Sequence, residues 1–274
     1  MLATSTRLLT EEQIDFFNMN GYLVVKGLFT PEQIAELRDT FQKAGEKDGE
    51  VPGLWSPNKQ SADPLDHFPR MMHPHKQPTM DIGALSLRFG LEPKVGAMLN
   101  ELTNEEQVLA QTMYYFKPAG SRGQSLHQDN YYLRVNPGTC YAAWLAVDRC
   151  DAENGALVVV PGTHDHPIAC PQKADLKIFW STDHVPTPEG KKETLVEMEP
   201  GDMLFFNGSI IHGSYPNTSK NRFRRSFISH YVPATSTEVS AWYRPLIRFK
   251  TSEAIAIAEA TGGGPCGEQA KGPH

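Results

Sequence analysis

A chain of 274 residues has room for one large domain or two small ones, with a substantial core in either case. Its formal net charge of −6, with 26 Lys and Arg against 32 Asp and Glu and no long basic run, excludes the electrostatic footprint of a nucleic-acid-binding protein. The opening stretch Met1 to Thr10 is polar throughout and no apolar run is long enough to span a bilayer, so neither a secretory leader nor a membrane partner is expected. The cytoplasm is the expected compartment. Cys140, Cys150, Cys170 and Cys266 form no CxxC pair, which points to reduced thiols rather than a disulfide framework or a thiolate zinc site.

In chain order, Thr10 followed by Gln13 reads as a capping box opening a short helix with Ile14, Phe16 and Phe17 on its apolar face, ended by Asn20-Gly21. Tyr22 to Val25 is a compact β-prone run. Thr30-Pro31-Glu32-Gln33 then supplies a cap, a proline at the first helical position and a glutamine at the third, opening a helix to Lys43 that buries Ile34, Leu37 and Phe41. From Gly49 to Thr79 neither period is present, and a long irregular loop is expected, with His67, Arg70, Met71, Met72, His73 and His75 crowding its second half as a lid over the neighbouring sheet. Asp81 to Leu99 reads as one helix.

Between Gln107 and Val232 the pattern changes to short β-prone runs: 108–117, 141–147, 157–160, 193–198, 203–207 and 222–232, with turns at Asn154-Gly155, Pro161-Gly162 and Pro200-Gly201-Asp202. Such a series predicts a mainly β fold with flanking helices, its core a double-stranded β-helix of the jelly-roll or cupin-like kind, open at one end for a ligand. The whole of 1–274 is expected to be a single domain: N-terminal helices and lid loop over about 8–105, the jelly-roll core over about 107–233, and a C-terminal part over about 234–274 comprising a helix, Ser252 to Ala260, and a flexible tail.

Chemistry concentrates in His127-Gln128-Asp129 and in the later Ile211-His212-Gly213-Ser214. On an extended strand residues two apart share a face, so His127 and Asp129 project together. With His212 they make two imidazoles and one carboxylate on one side of a metal, the donor set of non-haem Fe(II) oxygenases.

In order along the chain stand Leu126-His127-Gln128-Asp129, Trp144, Glu153-Asn154-Gly155-Ala156-Leu157, Pro161-Gly162-Thr163-His164, Pro200-Gly201-Asp202 and His212-Gly213-Ser214-Tyr215-Pro216-Asn217. As an ordered set over 8–233 they resemble the phytanoyl-CoA dioxygenase family of Fe(II)/2-oxoglutarate oxygenases. The resemblance implies His127, Asp129 and His212 as metal ligands, with Fe(II), 2-oxoglutarate and O2 as cofactor and co-substrates. It also implies an arginine for the distal carboxylate of 2-oxoglutarate. Arg224 and Ser226 share one face of the strand through Arg222-Phe223-Arg224-Arg225-Ser226 with Ile228 and His230, while Phe223, Arg225 and Phe227 share the other. A planar fork with a hydroxyl beside it suits a carboxylate. Counting back from Tyr231 selects Arg224; counting forward from His212 is off by one, so Arg222 and Arg225 remain alternatives.

By the same resemblance Lys117, Gln128, Trp144 and Ser214 lie near the 2-oxoglutarate or the iron. Gln111 and Tyr114 are candidates to line the cavity, since alternation alone does not tell the inward face from the outward one. On a cupin model His164 is a candidate fourth ligand; otherwise it orients its turn. An aspartate at 129, rather than a small residue, implies hydroxylation or another hydrogen abstraction in place of halogenation. The lid loop, the segment 165–189 and Tyr131, Tyr132 and Arg134 are expected around the open end. Their mixture suits a small polar or amphipathic metabolite, and no basic cluster asks for coenzyme A phosphates. The alternatives are a cupin-like metalloprotein or a ligand-binding jelly roll that does not use 2-oxoglutarate. Oligomeric state is not readable.

Overall fold

The computed structural model describes residues 7–46, 51, 54–58, 60–68, 70–261 and 266. Helix α1 (Glu11–Asn20) opens with the expected reciprocal box, Thr10 Oγ1 accepting from the Gln13 N–H and the Gln13 side chain accepting from the Thr10 N–H. It stops at Gly21, whose φ of 80° only glycine adopts without strain. Strand β1 (Tyr22–Val25) leads to α2 (Pro31–Glu46), opened by the same box between Thr30 and Gln33 and burying Ile34, Leu37 and Phe41.

The expected irregular loop contains a three-residue strand, β2 (Arg70–Met72), and two 3-10 turns; its positions 49, 50, 52, 53, 59 and 69 lie outside the described residues. The single helix expected from Asp81 to Leu99 is two, α3 (Asp81–Gly90) and α4 (Pro93–Thr103). Pro93 has no N–H to continue the first helix and fits the first position of the second, where the Glu92 side chain accepts from the Lys94 N–H.

The remaining elements are β3 (Gln107–Tyr115), β4 (Gln124–His127), α5 (Asn130–Leu133), β5 (Tyr141–Ala146), β6 (Leu157–Val159), β7 (Gln172–Lys173), β8 (Asp183–His184), β9 (Thr194–Val196), β10 (Met203–Asn207), β11 (His212–Ser214), β12 (Ser226–Pro233), β13 (Glu238–Val239), β14 (Leu246–Arg248), β15 (Ala254–Ile255) and β16 (Ala258–Glu259). An eight-stranded sheet runs β1-β10-β5-β12-β3-β14-β15, with β2 also paired to β3. A four-stranded sheet, β4-β11-β6-β9, lies opposite it and closes the jelly roll.

Alternation along the strands decides which layer each residue joins. Tyr114, Phe205, Phe227 and Tyr231 turn outward and pack beneath the helices with Leu37, Phe41, Phe89 and Leu99. Phe41 stacks on Tyr114 at 4.0 Å between centroids, so Tyr114 belongs to the helical core and not to the cavity, correcting one of the two candidates from β3. Met113, Tyr115, Trp144, Phe206 and Ile228 turn inward and meet Leu157 and Val159 of the smaller sheet.

Two expectations for the C-terminal part are overturned. Residues 252–260 contain the short strands β15 and β16, not a helix, with Ile255 and Ile257 packed against the cluster around Tyr243 and Leu246. Cys170 and Cys266, 96 residues apart, are joined as a disulfide, a pairing that no local spacing announces, while Cys140 and Cys150 are buried free thiols. Apart from Cys266, the tail expected to be flexible lies outside the described residues beyond 261.

His75 is buried beside β3, its Nδ1 2.8 Å from Thr112 Oγ1. Burial, with the Lys76 charge as a lesser cause, pushes its pKa down to about 3. The folded pKa is thus below the unfolded value near 6.5, the unfolded chain binds the extra proton, and stability is lost as pH falls from about 6.5 toward 3. Urea titrations across this window should show a decline of up to about 1.4 kcal/mol per pH unit from this group, and His75→Gln should flatten the profile. An unchanged slope in the variant would remove His75 as its source.

Candidate metal centre and co-substrate pocket

Cross-strand pairing brings the two imidazoles together. His212 on β11 stands opposite His127 on β4 in the antiparallel register, and the ring centroids are 4.3 Å apart. Asp129 arrives differently from the expected strand alternation. β4 ends at His127, and Asp129 has helical dihedrals, φ −60° and ψ −37°, at the cap position of α5. Its Oδ1 lies 3.4 Å from His127 Nε2 and 3.5 Å from His212 Nε2. One ligand atom from each of the three residues falls within 4.8 Å of the others, and all three side chains are buried.

The hydrogen bonds behind this cluster fix which atoms face it. His127 Nδ1 is 2.8 Å from the Ser125 carbonyl and His212 Nδ1 is 3.1 Å from the Ile210 carbonyl. A carbonyl only accepts, so each Nδ1 donates, and each ring turns its Nε2 to the common point. His230 of β12 donates from Nε2 to Asp129 Oδ2 at 2.9 Å, which turns Oδ1 toward the imidazoles. Two ring nitrogens and a carboxylate oxygen thus converge, an arrangement that a divalent cation resolves. The donor set fits iron.

His230→Ala is expected to weaken Fe(II) binding about 10- to 100-fold by releasing Asp129, with His230→Gln, whose amide still donates, in between. Anaerobic Fe(II) titration checks this, and equal affinities for wild type and alanine variant would refute the brace.

The pocket over these ligands is small, about 30 Å³, with Trp144, Leu157, Phe206 and Ile228 in its wall. The three arginines of 222–226 are placed differently. Arg222 pairs with Asp151 at 2.7 Å and Glu153 at 3.0 Å, and Arg225 pairs with Asp148 at 2.8 Å on the outer face. Arg224 points inward, 4% exposed, over the Trp144 ring at 5.2 Å, and donates to Ser226 Oγ at 3.0 Å. Its Nε has no hydrogen-bond partner, and burial lowers its pKa. A guanidinium held this way, with no carboxylate in salt-bridge range among the described residues, fits an incoming anion.

Lys117 is the second buried cation here. Its ammonium donates to the Gly155 carbonyl at 3.0 Å, Ser214 Oγ at 2.9 Å and the Tyr215 carbonyl at 2.6 Å, and burial followed by the Arg224 charge pushes its pKa well down. A Cβ at Gly155, where φ is +71°, would stand 2.5 Å from the Tyr215 carbonyl oxygen and 2.8 Å from Lys117 Nζ, which is why the turn carries glycine there. Lys117 and Ser214 therefore tie the β11 end to the 153–157 turn, with all three ammonium protons engaged.

Other expected site residues separate. Gln128 donates to the Ser209 carbonyl at 2.7 Å and accepts from the Ala169 N–H at 2.8 Å, so both ends of its amide serve the backbone and not the pocket. Gln111 is buried on the inward face opposite His230, its Nε2 3.5 Å from His73 Nε2. His164 turns to the α1 end, 3.1 Å from the Asn18 carbonyl, and is no fourth ligand. Sequence reasoning gave no role to Gln124, whose Nε2 is 3.2 Å from His127 Nε2, or to Tyr115. The even spacing from Arg224 to His230 was the available signal for the Asp129 brace.

Outside the inner pocket, and sharing Tyr115 with it, is a chamber of about 270 Å³ walled by Trp55, Leu65, Arg70, Met72 and Trp180. Of the expected rim residues, Arg70 and Met72 are in this wall, His67 bonds the Ser61 carbonyl, and Tyr132 donates to Asp183 at 2.8 Å.

The family model described as phytanoyl-CoA dioxygenase (PhyH) matches residues 17–226. Phytanoyl-CoA dioxygenase 1 of Oryza sativa subsp. japonica is 27% identical over 77% of this chain and 85% of its own length. The peroxisomal phytanoyl-CoA dioxygenase of Homo sapiens is 28% identical over 83% of this chain and 69% of its own. Among solved structures, EctD from S. alaskensis with 2-oxoglutarate and 5-hydroxyectoine superposes with a TM-score of 0.66 at 17% identity, covering 85% of this chain and 79% of that one. The epimerase SnoN in complex with Fe3+, alpha ketoglutarate and nogalamycin RO gives 0.64 at 20% identity, covering 86% of each. No helix among the described residues is long and apolar enough to cross a membrane.

Proposed function

This chain belongs to the phytanoyl-CoA dioxygenase family of iron- and 2-oxoglutarate-dependent dioxygenases, and from that premise we propose that His127, Asp129 and His212 hold the iron while Arg224 and Ser226 hold the far carboxylate of 2-oxoglutarate. Arg224 carries the assignment to this keto acid: a buried cation with no anion in salt-bridge range among the described residues, stacked over Trp144 of the pocket wall, asks for a carboxylate. When bound, the iron and co-substrates supply an oxidation in which substrate, 2-oxoglutarate and O2 become hydroxylated substrate, succinate and CO2. The chain's own residues position and enclose. His230 orients Asp129, Lys117 pins Ser214 beside the ligand strand, and Trp144, Phe206 and Ile228 keep water from the reacting atoms. Gln111 and Gln128 act behind this layer. The whole chain works as one oxygenase unit.

The substrate is a small polar or amphipathic metabolite entering through the outer chamber, whose wall mixes aromatic, thioether and charged groups. Hydroxylation is the proposed outcome. The proposed compartment is the cytoplasm; co-fractionation with peroxisomes, the compartment in the human relative's name, would overturn it. The functional test is an anaerobic titration with Fe(II) and then 2-oxoglutarate, watched for the weak visible charge-transfer band of the metal-bound keto acid. The band is expected. Metal binding without it would refute the keto acid site.

A further inference from the structure

Arginines around the two chambers fall into two groups. Arg122 pairs with Asp63, Arg222 with Asp151 and Glu153, and Arg225 with Asp148. Arg224, over Trp144 of the inner pocket's wall, and Arg70 in the outer chamber have no carboxylate in salt-bridge range among the described residues. Arg70 is on the edge strand β2, and its guanidinium carbon stands 3.8 Å above the centroid of the Trp180 ring. Burial is the largest influence on its charge and lowers its pKa, so the charge is maintained at a cost.

The backbone at Trp180 is tied down, its amide N–H donating to the Gly123 carbonyl at 2.9 Å next to the Phe179 bridge with Gly123. A guanidinium over an indole face keeps its edge donors for a ligand. Tyr115 and Met72 continue the same wall, and the Tyr115 hydroxyl meets only thioether sulfurs, at 3.5 Å for Met113 and 3.8 Å for Met72.

We propose that the Arg70–Trp180 pair docks the anionic end of the substrate, which is therefore a small amphipathic carboxylic acid. The inference rests on the oxygenase reading above and adds the substrate class to it. A carboxylate suits the site better than a phosphate dianion, because one guanidinium faces the chamber and the Asp66 carboxylate also lines it. The apolar body follows Leu65, Met72 and Tyr115 inward. In register, Arg70 stands opposite Tyr115, whereas Gln111, four residues along β3, stands opposite His230. At roughly 3.3 Å per residue the two rows are about 13 Å apart along β3, so Arg70 holds the acid group away from the His230 brace.

The test is equilibrium binding to the anaerobic Fe(II)/2-oxoglutarate complex of matched pairs, amphipathic monocarboxylic acids and their primary amides. With 2-oxoglutarate saturating Arg224, the acids have only the outer chamber. Acids from the panel should bind wild type about tenfold or more tighter than their amides. Arg70→Gln should erase that preference, and Arg70→Lys, keeping charge without the stacked fork, should retain part of it. Equal binding of acids and amides, binding by no acid of the panel, or a preference that survives in Arg70→Gln would each overturn the proposal. Loss of the chelate band in wild type would instead refute the oxygenase reading.

Discussion

Asp129→Ala is expected to weaken Fe(II) binding by well over 100-fold and to abolish turnover with it, because it removes a ligand where even the partners of ligands are worth 10- to 100-fold. The carboxylate sits at the junction of the site: Oδ1 faces both imidazoles and Oδ2 receives the His230 proton. Helix α5 does not depend on it, since the Asp129 side chain makes no capping bond and the backbone carbonyl, which accepts from Tyr132 and Leu133, survives the substitution. Removing the carboxylate leaves a buried His230 proton without its acceptor but also relieves the crowding of acceptor atoms, so the metal-free protein should keep a melting temperature near that of wild type. The expected signature is loss of the Fe(II)-induced thermal shift on an intact fold. A variant that binds Fe(II) as wild type does would show that the metal lies elsewhere.

Arg224→Met should separate binding from stability in the opposite sense. Two charge-assisted bonds to a carboxylate are lost, so KM for 2-oxoglutarate should rise about 100-fold or more. Yet the metal-free, keto-acid-free protein should become no less stable, and by about 1 kcal/mol or more is expected to gain, because an uncompensated buried cation beside Lys117 is replaced by an apolar chain of similar reach. Arg225→Met predicts the reverse pattern, with loss of the Asp148 pair lowering stability and KM for 2-oxoglutarate little altered. Steady-state succinate formation paired with urea denaturation reads both quantities. If Arg224→Met leaves KM unchanged while Arg225→Met raises it, the assignment passes to the outer residue.

Local signals announced the elements they directly control. Both capping boxes open helices where Thr10 and Thr30 placed them, and the alternation through Arg224, Ser226, Ile228 and His230 gave the inward face correctly. What required the folded chain was pairing at a distance. The inward role of Arg224 over Arg222 and Arg225 depends on carboxylates at 148, 151 and 153, invisible to a count along one strand. Strand alternation is not what presents Asp129 beside His127: a helical turn does so instead. Gln128 and His164 were drawn toward the site by motif position, but each spends its polar atoms on neighbouring backbone. The Cys170–Cys266 pair and the strands after Arg248 failed for the same reason, that their partners lie far away in sequence or run too short for periodicity to decide.

The four side chains of the metal centre come from β4, the start of α5, β11 and β12, so no contiguous stretch contains the site. His127 and His212 meet only when β11 pairs with β4, and Asp129 is braced only when the smaller sheet has closed against β12 of the larger one. Loop closures of this length must be completed before any of these contacts is rewarded. The ion therefore cannot nucleate the chain's collapse; it ratifies a closure already made. Its free energy of binding is added wholly to the closed sandwich, and any opening that separates the two sheets dissolves the coordination sphere as a unit instead of one ligand at a time.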